Sequence, residues 1–462
     1  MNTSERFCHA YSQYRNRFFE QPENIQHLSW LKQLQDNAFE SFSTQGLPGP
    51  RDENWKYTQL SQIEQLDLQP SDQNSVSSHG IRPENIPLCS GSHRLVFMDG
   101  KFTPELSNHA DLPDGLILCS IAQGLNRHPH LLSAALGAVA EYNKHPFAAL
   151  NTMFLADGAL LQVMQGCKVQ MPIHCLFYTT EADRPVMYSP RLLLLAEDNA
   201  EVTVIEHYQG NSRSLLHEQH QNSGLNLTNA LTEVTLGRDT TLHHYKLQCE
   251  SGNTCHIAGI HVEQQQSSQF YSHNISLGAC LARNDLCIKL ADTGAECHLY
   301  GAYCIGDRQH VDFHTQIDHL RPNCQSSELY KGVIQDRAHA VFNGMVVVHP
   351  DAQYSDAQLI NKNLLLSAKA EVDTKPELQI YADDVKCSHG ATVGQLDPAA
   401  MFYLQSRGIS HEAAQTLLIT AFINDILQPV EPAPIRQLLL PSIQAQLNRL
   451  IHKIQNREEQ GS

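Results

Sequence analysis

The stretch LCIKLADTGAECHLYG, residues 286–301, shows the unit from which most of this chain is built. An apolar run is followed by a few small or polar residues and then by a second short apolar run. The same unit recurs, at uneven spacing, in residues 192–207, 234–247, 332–348 and 364–383. Short runs rich in Val, Ile, Leu, Thr and Tyr are typical of β-strands, so the repeat predicts many strands joined by tight turns.

Two β architectures fit this pattern, namely a sandwich and a stacked parallel β-helix. The turns contain Ala, Asp, Asn and Gly, but few of the Asn-Gly or Asp-Gly pairs that favour hairpins. The strand-rich region also runs from Arg94 to Gly394, which is long for one sandwich. Both observations favour the β-helix, and we expect stacked parallel rungs over residues 160–394.

Helical patterns flank the strand-rich region. The sequence predicts an N-terminal helical region over residues 1–70, a polar, serine-rich linker over 71–93, a β-strand region over 94–394 and a C-terminal helical region over 395–462. Ser410 is placed to cap the first C-terminal helix, because its hydroxyl can accept a hydrogen bond from an early backbone amide.

The charge balance limits the classes of partner. Lysine and arginine total 32 against 49 aspartates and glutamates, a formal net charge of −17. Such a surface repels phosphate backbones and anionic membranes, so neither nucleic acid nor a membrane is an expected partner. The N-terminal segment has no apolar stretch typical of a secretory signal, and we expect a cytoplasmic protein.

The thirteen cysteines are scattered and form no C-x-x-C pair, so a disulfide framework is not expected. The spacing of Cys280, Cys287, Cys297 and Cys304 matches no recognised ligand geometry. Most of these thiols are expected to be small buried apolar side chains.

The sequence lacks the common signatures of catalysis. It has no G-x-x-x-x-G-K-[ST] loop, no G-x-G-x-x-G after a strand, no H-E-x-x-H and no G-x-S-x-G. It therefore carries no signature for hydrolysing ATP, binding a dinucleotide or cutting peptides.

Three polar residues form a candidate ligand row in QHVDFHTQIDH, residues 309–319. Strand alternation would point His310, Asp312 and His314 to one side, where they could bind iron or zinc. The alternative is a solvated strand face that carries polar residues.

A second candidate is YADDVKCSHGATVG, residues 381–394. Asp383 and Asp384 favour a turn, and Gly390 permits a backbone angle that other residues resist. Cys387 and His389 would project to the same side of an extended segment, and both are good ligands for iron or zinc. Two ligands are an incomplete site, so a capped turn is the alternative.

The first C-terminal helix carries a candidate docking surface. Leu417, Leu418, Ala421 and Phe422 fall at helical spacing with Ile426 in one apolar stripe. Such a stripe either packs in the core or docks a partner.

Several of these segments resemble one known family. Residues 371–410, which include YADDVKCSHGATVG, closely resemble the C-terminal signature of the SufD branch of the SufB/SufD family, which belongs to the SUF iron–sulfur cluster assembly machinery. DENWKYT (52–58), RLVFMDG (94–100), VTVIEHY (202–208) and AVFNGMVVV (340–348) resemble its other landmarks. The similarity extends from about Gly46 to about Phe422.

The resemblance implies a right-handed parallel β-helix between helical regions, and a chain that is a non-catalytic scaffold. It implies pairing with a SufB paralogue, docking of the ATPase SufC through C-terminal helices, and a transient iron or nascent cluster at the SufB–SufD interface. The histidine of KCSHGA, a cluster ligand in this family, is His389, and Cys387 matches the cysteine beside it. A reduced flavin in the complex and a homodimer of the isolated chain are further implied possibilities.

Two other functions are compatible with a β-helix. A polysaccharide-active enzyme of this fold usually needs a secretory signal and a basic groove, and the sequence shows neither. A homo-oligomeric metal-storage protein would carry firmly bound, stoichiometric iron when the chain is purified alone.

Overall fold

The structure is a computed structural model that describes residues 3–19, 28–65, 68–71, 86–180, 184–210, 225–430 and 432–461. Over these residues the chain forms a parallel β-solenoid of about 8 turns, with helices before and after it. The prediction of a mainly β fold with a parallel β-helix core is confirmed.

The secondary structure has the following bounds. The α-helices are α1 (Thr3–Phe19), α2 (Ser29–Gln45), α3 (Ser61–Glu64), α4 (Ile121–Arg127), α5 (Pro129–Ala135), α6 (Pro146–Met153), α7 (Pro398–Ser406), α8 (His411–Leu427) and α9 (Ala433–Gly461). The strands are β1 (Gln69–Pro70), β2 (His93–Met98), β3 (Lys101–Phe102), β4 (Leu116–Ser120), β5 (Gly158–Val163), β6 (Ile173–Thr179), β7 (Val186–Tyr188), β8 (Arg191–Ala196), β9 (Glu201–Gly210), β10 (Asn226–Leu236), β11 (Thr241–Cys249), β12 (Thr254–Gln264), β13 (Gln269–Ser276), β14 (Leu281–Leu290), β15 (Glu296–Ile305), β16 (His310–His319), β17 (Gln325–Ile334), β18 (His339–Val348), β19 (Asp356–Leu365), β20 (Glu371–Ile380) and β21 (Lys386–Gly394).

Successive long strands alternate between two sheets. The even-numbered strands from β8 to β20 stack in an 11-stranded sheet, and the odd-numbered strands from β9 to β21 stack in a 10-stranded sheet. Each strand pairs in parallel with the strand two further along, so Leu281 pairs with His310 and His310 with His339. The next step, from His339 to Glu371, is longer. Turns of unequal length explain why the sequence repeat is uneven.

Single polar residues make the corners between the two sheets. Asn199, Asp239, Asp307, Asn323 and Asp336 all have positive φ, between 54° and 61°, and all lie between consecutive strands. Asparagine and aspartate tolerate this left-handed conformation better than other residues with a side chain. A corner of this kind needs one such residue, whereas a two-residue hairpin turn of type I′ needs two. The scarcity of Asn-Gly pairs in the sequence has this physical cause.

Apolar side chains from every turn fill the inside of the solenoid. The rings of Phe313, Tyr330 and Phe342 follow one another with centroids 5.3 and 4.9 Å apart. Each is almost completely buried, which contributes roughly 1.5–3 kcal/mol per side chain. The buried Tyr303 hydroxyl donates to Asn363 Oδ1 at 2.6 Å, so this polar group does not oppose folding.

The region between Arg94 and β5 differs from the prediction. Strands were expected throughout, but α4, α5 and α6 interrupt them before the regular solenoid begins. Every residue of α6 from Phe147 to Met153 is buried, so the helix has no polar face and shows no helical period in sequence. Of the predicted linker over 71–93, residues 72–85 lie outside the described residues, and the limits drawn for the four regions stay a prediction.

The C-terminal helices pack on the outer face of the 10-stranded sheet. Ile419 and Ile423 of α8 and Leu439 of α9 join one buried cluster with Ala302 and Val333 of the sheet. The predicted cap of α8 is confirmed, because the Ser410 side chain accepts a hydrogen bond from the backbone N–H of Ala413. Within the described ranges, no helix is both long enough and apolar enough to cross a membrane.

Candidate functional site at the end of the solenoid

Cys387 and His389 lie on β21, which is the edge strand of the 10-stranded sheet. The chain leaves β20, bends at Asp383 and Asp384, and then becomes extended again. Cys387 and His389 therefore lie in an extended segment, as their same-side placement requires, and the alternative of a turn at these two residues is not what the structure has. The bend is confined to the two aspartates, because β19 pairs with the rest of the segment in parallel and holds it extended. Gly390, which permits an unusual backbone angle, is extended within the strand and has no positive φ.

The register of β21 places the thiol and the imidazole at the end of an interior column. Cys387 pairs with Ala357 and His389 pairs with Leu359. Ala357 and Leu359 are buried members of the solenoid core. Residues paired in register on parallel strands point to the same side, so Cys387 and His389 continue the column where it reaches the surface.

The two side chains differ in exposure. Cys387 is half-buried and packs against the solenoid core, whereas His389 is exposed. Burial, together with the nearby charge of Asp356, raises the pKa of the Cys387 thiol. At neutral pH this group therefore keeps its proton until a cation displaces it. Within the described residues, the His389 side chain makes no hydrogen bond or ion pair, so its nitrogens are available to a ligand.

The edge of β21 is itself available for pairing. No strand in the described part of the chain pairs with its outer side, so a row of backbone N–H and C=O groups faces outward. A Cβ atom added at Gly390 or Gly394 would meet nothing within 4 Å. Another backbone can approach closely at these two glycines.

The row of His310, Asp312 and His314 is neither a solvated face nor an open ligand set. Asp312 is buried and bonds Arg283 at 2.8 Å and His314 at 3.0 Å. Burial alone would raise the pKa of Asp312, but His314 and Arg283 hold this pKa below its usual value. The hydroxyl of Thr58 also donates to Asp312.

This network holds residues 52–58 against the solenoid. The guanidinium of Arg283 lies 3.7 Å from the centre of the Trp55 ring and donates to the carbonyl of Asn54 at 2.7 Å. Residues 52–58, one of the segments that carry the resemblance, thus bind the buried charge pair from outside. In this structure, these contacts attach residues 52–58 to the solenoid.

The predicted docking stripe on α8 divides between two environments. Ile426 is in the core, Leu418 and Phe422 are half-buried, and Leu417 is 51% exposed. Ala421 is also exposed. The surface therefore presents only part of the stripe.

Sequence reasoning missed two sets of residues. Phe402 and Tyr403 of α7, which packs on α8, are 72% and 56% exposed, and their aromatic character next to an apolar helix was the available signal. His145, His261 and Cys287 come together from distant positions, although the spacing of Cys287 with the neighbouring cysteines matches no recognised ligand geometry. No spacing in the sequence indicates that group, because the fold alone assembles it.

Comparison with known proteins identifies the family. Residues 177–422 match the family model of the SUF system FeS cluster assembly SufBD core domain, and residues 1–175 match the SufBD protein N-terminal region. An iron–sulfur cluster assembly SufBD family protein of Synechocystis sp. is 36% identical over 88% of this chain and 87% of its own length. The iron–sulfur cluster assembly protein SufD of Escherichia coli is 31% identical over 86% and 89%, and that of Bacillus subtilis is 26% identical over 91% and 95%.

The matched residues include the solenoid, its last strand and most of α8. Both family regions occur in their order along this chain, and together they span the N-terminal helices and the strands stacked upon them. The chain belongs to the SufB/SufD family and has a role in SUF iron–sulfur cluster assembly.

Proposed function

We propose that this chain is the SufD-type scaffold subunit of a SufB–SufC–SufD complex and that it supports iron entry and cluster formation. The observation that carries the proposal is the position of Cys387 and His389, side by side on an exposed edge strand. Two relatives that match most of the chain are named as the iron–sulfur cluster assembly protein SufD.

The edge of β21 supports pairing with a SufB paralogue. A long strand whose outer hydrogen-bonding groups have no partner adds a further strand readily. Lys375 and Pro376 make the neighbouring edge of β20 less suited to this, because charge and proline discourage pairing. A partner strand beside β21 would bring its own side chains next to Cys387 and His389.

The ligand count supports a shared site. One thiol and one imidazole cannot complete the coordination of an iron ion, which has four ligands in an iron–sulfur cluster, so the rest must come from the partner, from sulfide or from water. Iron is the cargo here and stays only while a cluster is built. The Cys387 thiol releases its proton when iron binds, so iron binding at this residue is coupled to proton release.

The exposed apolar residues of α7 and α8 support docking of SufC, which would supply ATP hydrolysis. Phe402, Tyr403 and Leu417 present apolar surface on helices that are attached firmly to the solenoid by the buried face of α8. The thirteen free thiols suit a reducing compartment, and we place the complex in the cytoplasm.

Co-expression with SufB and SufC counterparts tests this assignment. We expect the three chains to co-purify, and we expect the chain to restore iron–sulfur enzyme activity in a strain that lacks its SufD subunit and relies on this pathway. Purification of the chain alone, with stoichiometric iron and no retention of SufB, would contradict the scaffold role and favour a storage protein. A homodimer that dissociates when SufB is added would support the scaffold role.

A further inference from the structure

A second group of metal-binding side chains lies on the outer face of the other sheet. His261 is on β12 and Cys287 is on the neighbouring strand β14, where the two residues pair in register. Their sequence neighbours Ile260, Val262, Leu286 and Ile288 belong to the solenoid core. Because side chains alternate along a strand, His261 and Cys287 point outward, away from the interior column that ends at His389.

The third member comes from the helical layer that covers this face. His145 is the residue immediately before α6, which packs on β10 and β12. Its Nε2 atom lies 3.9 Å from Cys287 Sγ, and its ring centre lies 5.0 Å from that of His261. The three candidate ligand atoms all lie within 4.8 Å of one another.

These separations are close to those of a tetrahedral metal site. Bonds of about 2.0 Å to nitrogen and about 2.3 Å to sulfur place ligand atoms roughly 3.3–3.6 Å apart around one ion. The pair of His145 and Cys287 is already near this value. Small rotations of the side chains would bring His261 to the same distance.

The protonation states also suit a cation. Burial lowers the pKa of His145 and lowers that of His261 to about 3, so both imidazoles are neutral at physiological pH and offer a lone pair. Burial raises the pKa of the Cys287 thiol, which therefore keeps its proton while no ion is bound. Binding an ion forms the metal–sulfur bond and sends that proton to solvent.

A cavity of about 160 Å³ adjoins the three residues. Its lining includes polar side chains of Asn54, Asp285, Gln316 and Asn343. A volume of this size holds several water molecules. The fourth position of a tetrahedral ion can therefore be taken by water or by a small ligand.

We propose that His145, His261 and Cys287 form a binding site for one borderline divalent metal ion, of the class of Zn²⁺ and Fe²⁺. Two imidazole nitrogens and one thiolate hold the ion, and the fourth position faces the cavity. The site is separate from the pair on β21 and does not depend on a partner chain. It also does not depend on the function proposed for that pair.

Titration of the purified, metal-free chain with Co²⁺ tests the site, because Co²⁺ reports tetrahedral geometry and thiolate ligation by its absorption. We expect one tightly bound equivalent with a thiolate-to-cobalt charge-transfer band. Anaerobic competition with Zn²⁺ and with Fe²⁺ then shows which ion the site prefers. The absence of saturable binding would overturn the proposal.

Matched variants locate the ion. Cys287→Ser should remove the charge-transfer band, and His261→Gln should weaken binding at least about tenfold. Cys280→Ser is the control, because Cys255 and Cys280 are another close pair of thiols, with sulfurs 3.8 Å apart. His389→Ala should also keep the band. A band that survives in Cys287→Ser but disappears in Cys280→Ser would place the ion elsewhere.

A measurement on the unmodified chain avoids dependence on the folding of the variants. X-ray absorption of the zinc-loaded protein should show one sulfur at about 2.3 Å together with nitrogen or oxygen neighbours at about 2.0 Å. A first shell without sulfur, or with two sulfurs, would contradict the set of two histidines and one cysteine.

Discussion

Glu328 is a carboxyl group enclosed inside the solenoid. It is buried, and its partners in the neighbouring turns of the column are Leu299 and Leu359, both of which are apolar. Burial raises the pKa of Glu328 from 4.5 to about 7. The folded state therefore holds this proton more strongly than the unfolded state does. The stabilising effect is complete below pH 4.5 and is lost as the pH rises towards 7.

Replacing this residue by its neutral amide should remove that pH dependence. We expect the free energy of unfolding of the unmodified chain to lose roughly 3 kcal/mol from this group between pH 4.5 and pH 8. Glutamine does not titrate, so the free energy of unfolding of Glu328→Gln lacks this loss. The variant therefore gains stability relative to the original chain as the pH rises. Urea denaturation at several pH values measures the difference. Parallel stability curves for the two chains would contradict the raised pKa.

Part of the candidate site on β21 could be predicted from the sequence. The placement of Cys387 and His389 on one side of the chain could be predicted, because side chains two residues apart in an extended segment point the same way. Their position on a strand could not be predicted, because two aspartates and a glycine are equally typical of a turn. Pairing with β19, a contact between separate parts of the chain, decides between the two conformations.

At the scale of elements, the segment of residues 52–58 depends on one buried ion pair. Asp312 bonds both Arg283 and Thr58, and Arg283 stacks on Trp55. Removing the carboxylate leaves a buried guanidinium with a weaker set of partners. Asp312→Ala should therefore destabilise the chain by about 3 kcal/mol and should loosen this segment first.

Urea denaturation and hydrogen exchange in residues 52–58 together test this prediction. Asp351→Ala is the control, because Asp351 is 82% exposed and its contact with Arg321 is 3.7 Å long. That exposed pair should contribute less than about 1 kcal/mol. Equal losses in the two variants would mean that the network does not fasten the segment.

Helix α8 carries the prediction for docking. Phe422 is a poor probe, because its half-buried ring contacts the ammonium group of Lys331 and packs on the buried cluster beneath the helix. Leu417 is exposed, so Leu417→Asp should change the free energy of unfolding by less than about 0.5 kcal/mol. The same change should weaken SufC binding by about tenfold if this residue lies at the interface.

Thr420→Asp is the matched control for α8, since Thr420 is exposed on the same helix and adds no apolar surface. Co-purification and a binding titration with SufC compare the two variants. Equal binding by Leu417→Asp and the original chain would remove α8 from the docking surface.

For the molecule as a whole, the strand-rich repeat and the scarcity of hairpin signals favoured stacked parallel strands over a sandwich, and the family resemblance implied the same fold. Helix α6 before the solenoid was not predictable, because it is buried all round and carries no periodic polar face. The group of His145, His261 and Cys287 was equally hidden. Its members lie on a helix boundary and two separate turns, and only the register of the solenoid brings them together.

In the proposed function, the open end of the solenoid at β21 binds the partner and the nascent cluster. The side chains of the interior column are buried in the turn before β21, whereas on β21 Cys387 is half-buried and His389 is exposed. A change at His389 should therefore affect the cargo without affecting the fold. Ser388 is the matched control, because it is exposed on the same strand and points to the opposite side.

The most direct measurement is iron–sulfur cluster formation on the purified complex of this chain with SufB and SufC. We predict that His389→Ala leaves the complex assembled but slows cluster formation by about tenfold or more, whereas Ser388→Ala forms the cluster at the original rate. Cys387→Ala should have a smaller effect if its thiol is mainly part of the core. Cluster formation at the full rate by an intact His389→Ala complex would contradict the account.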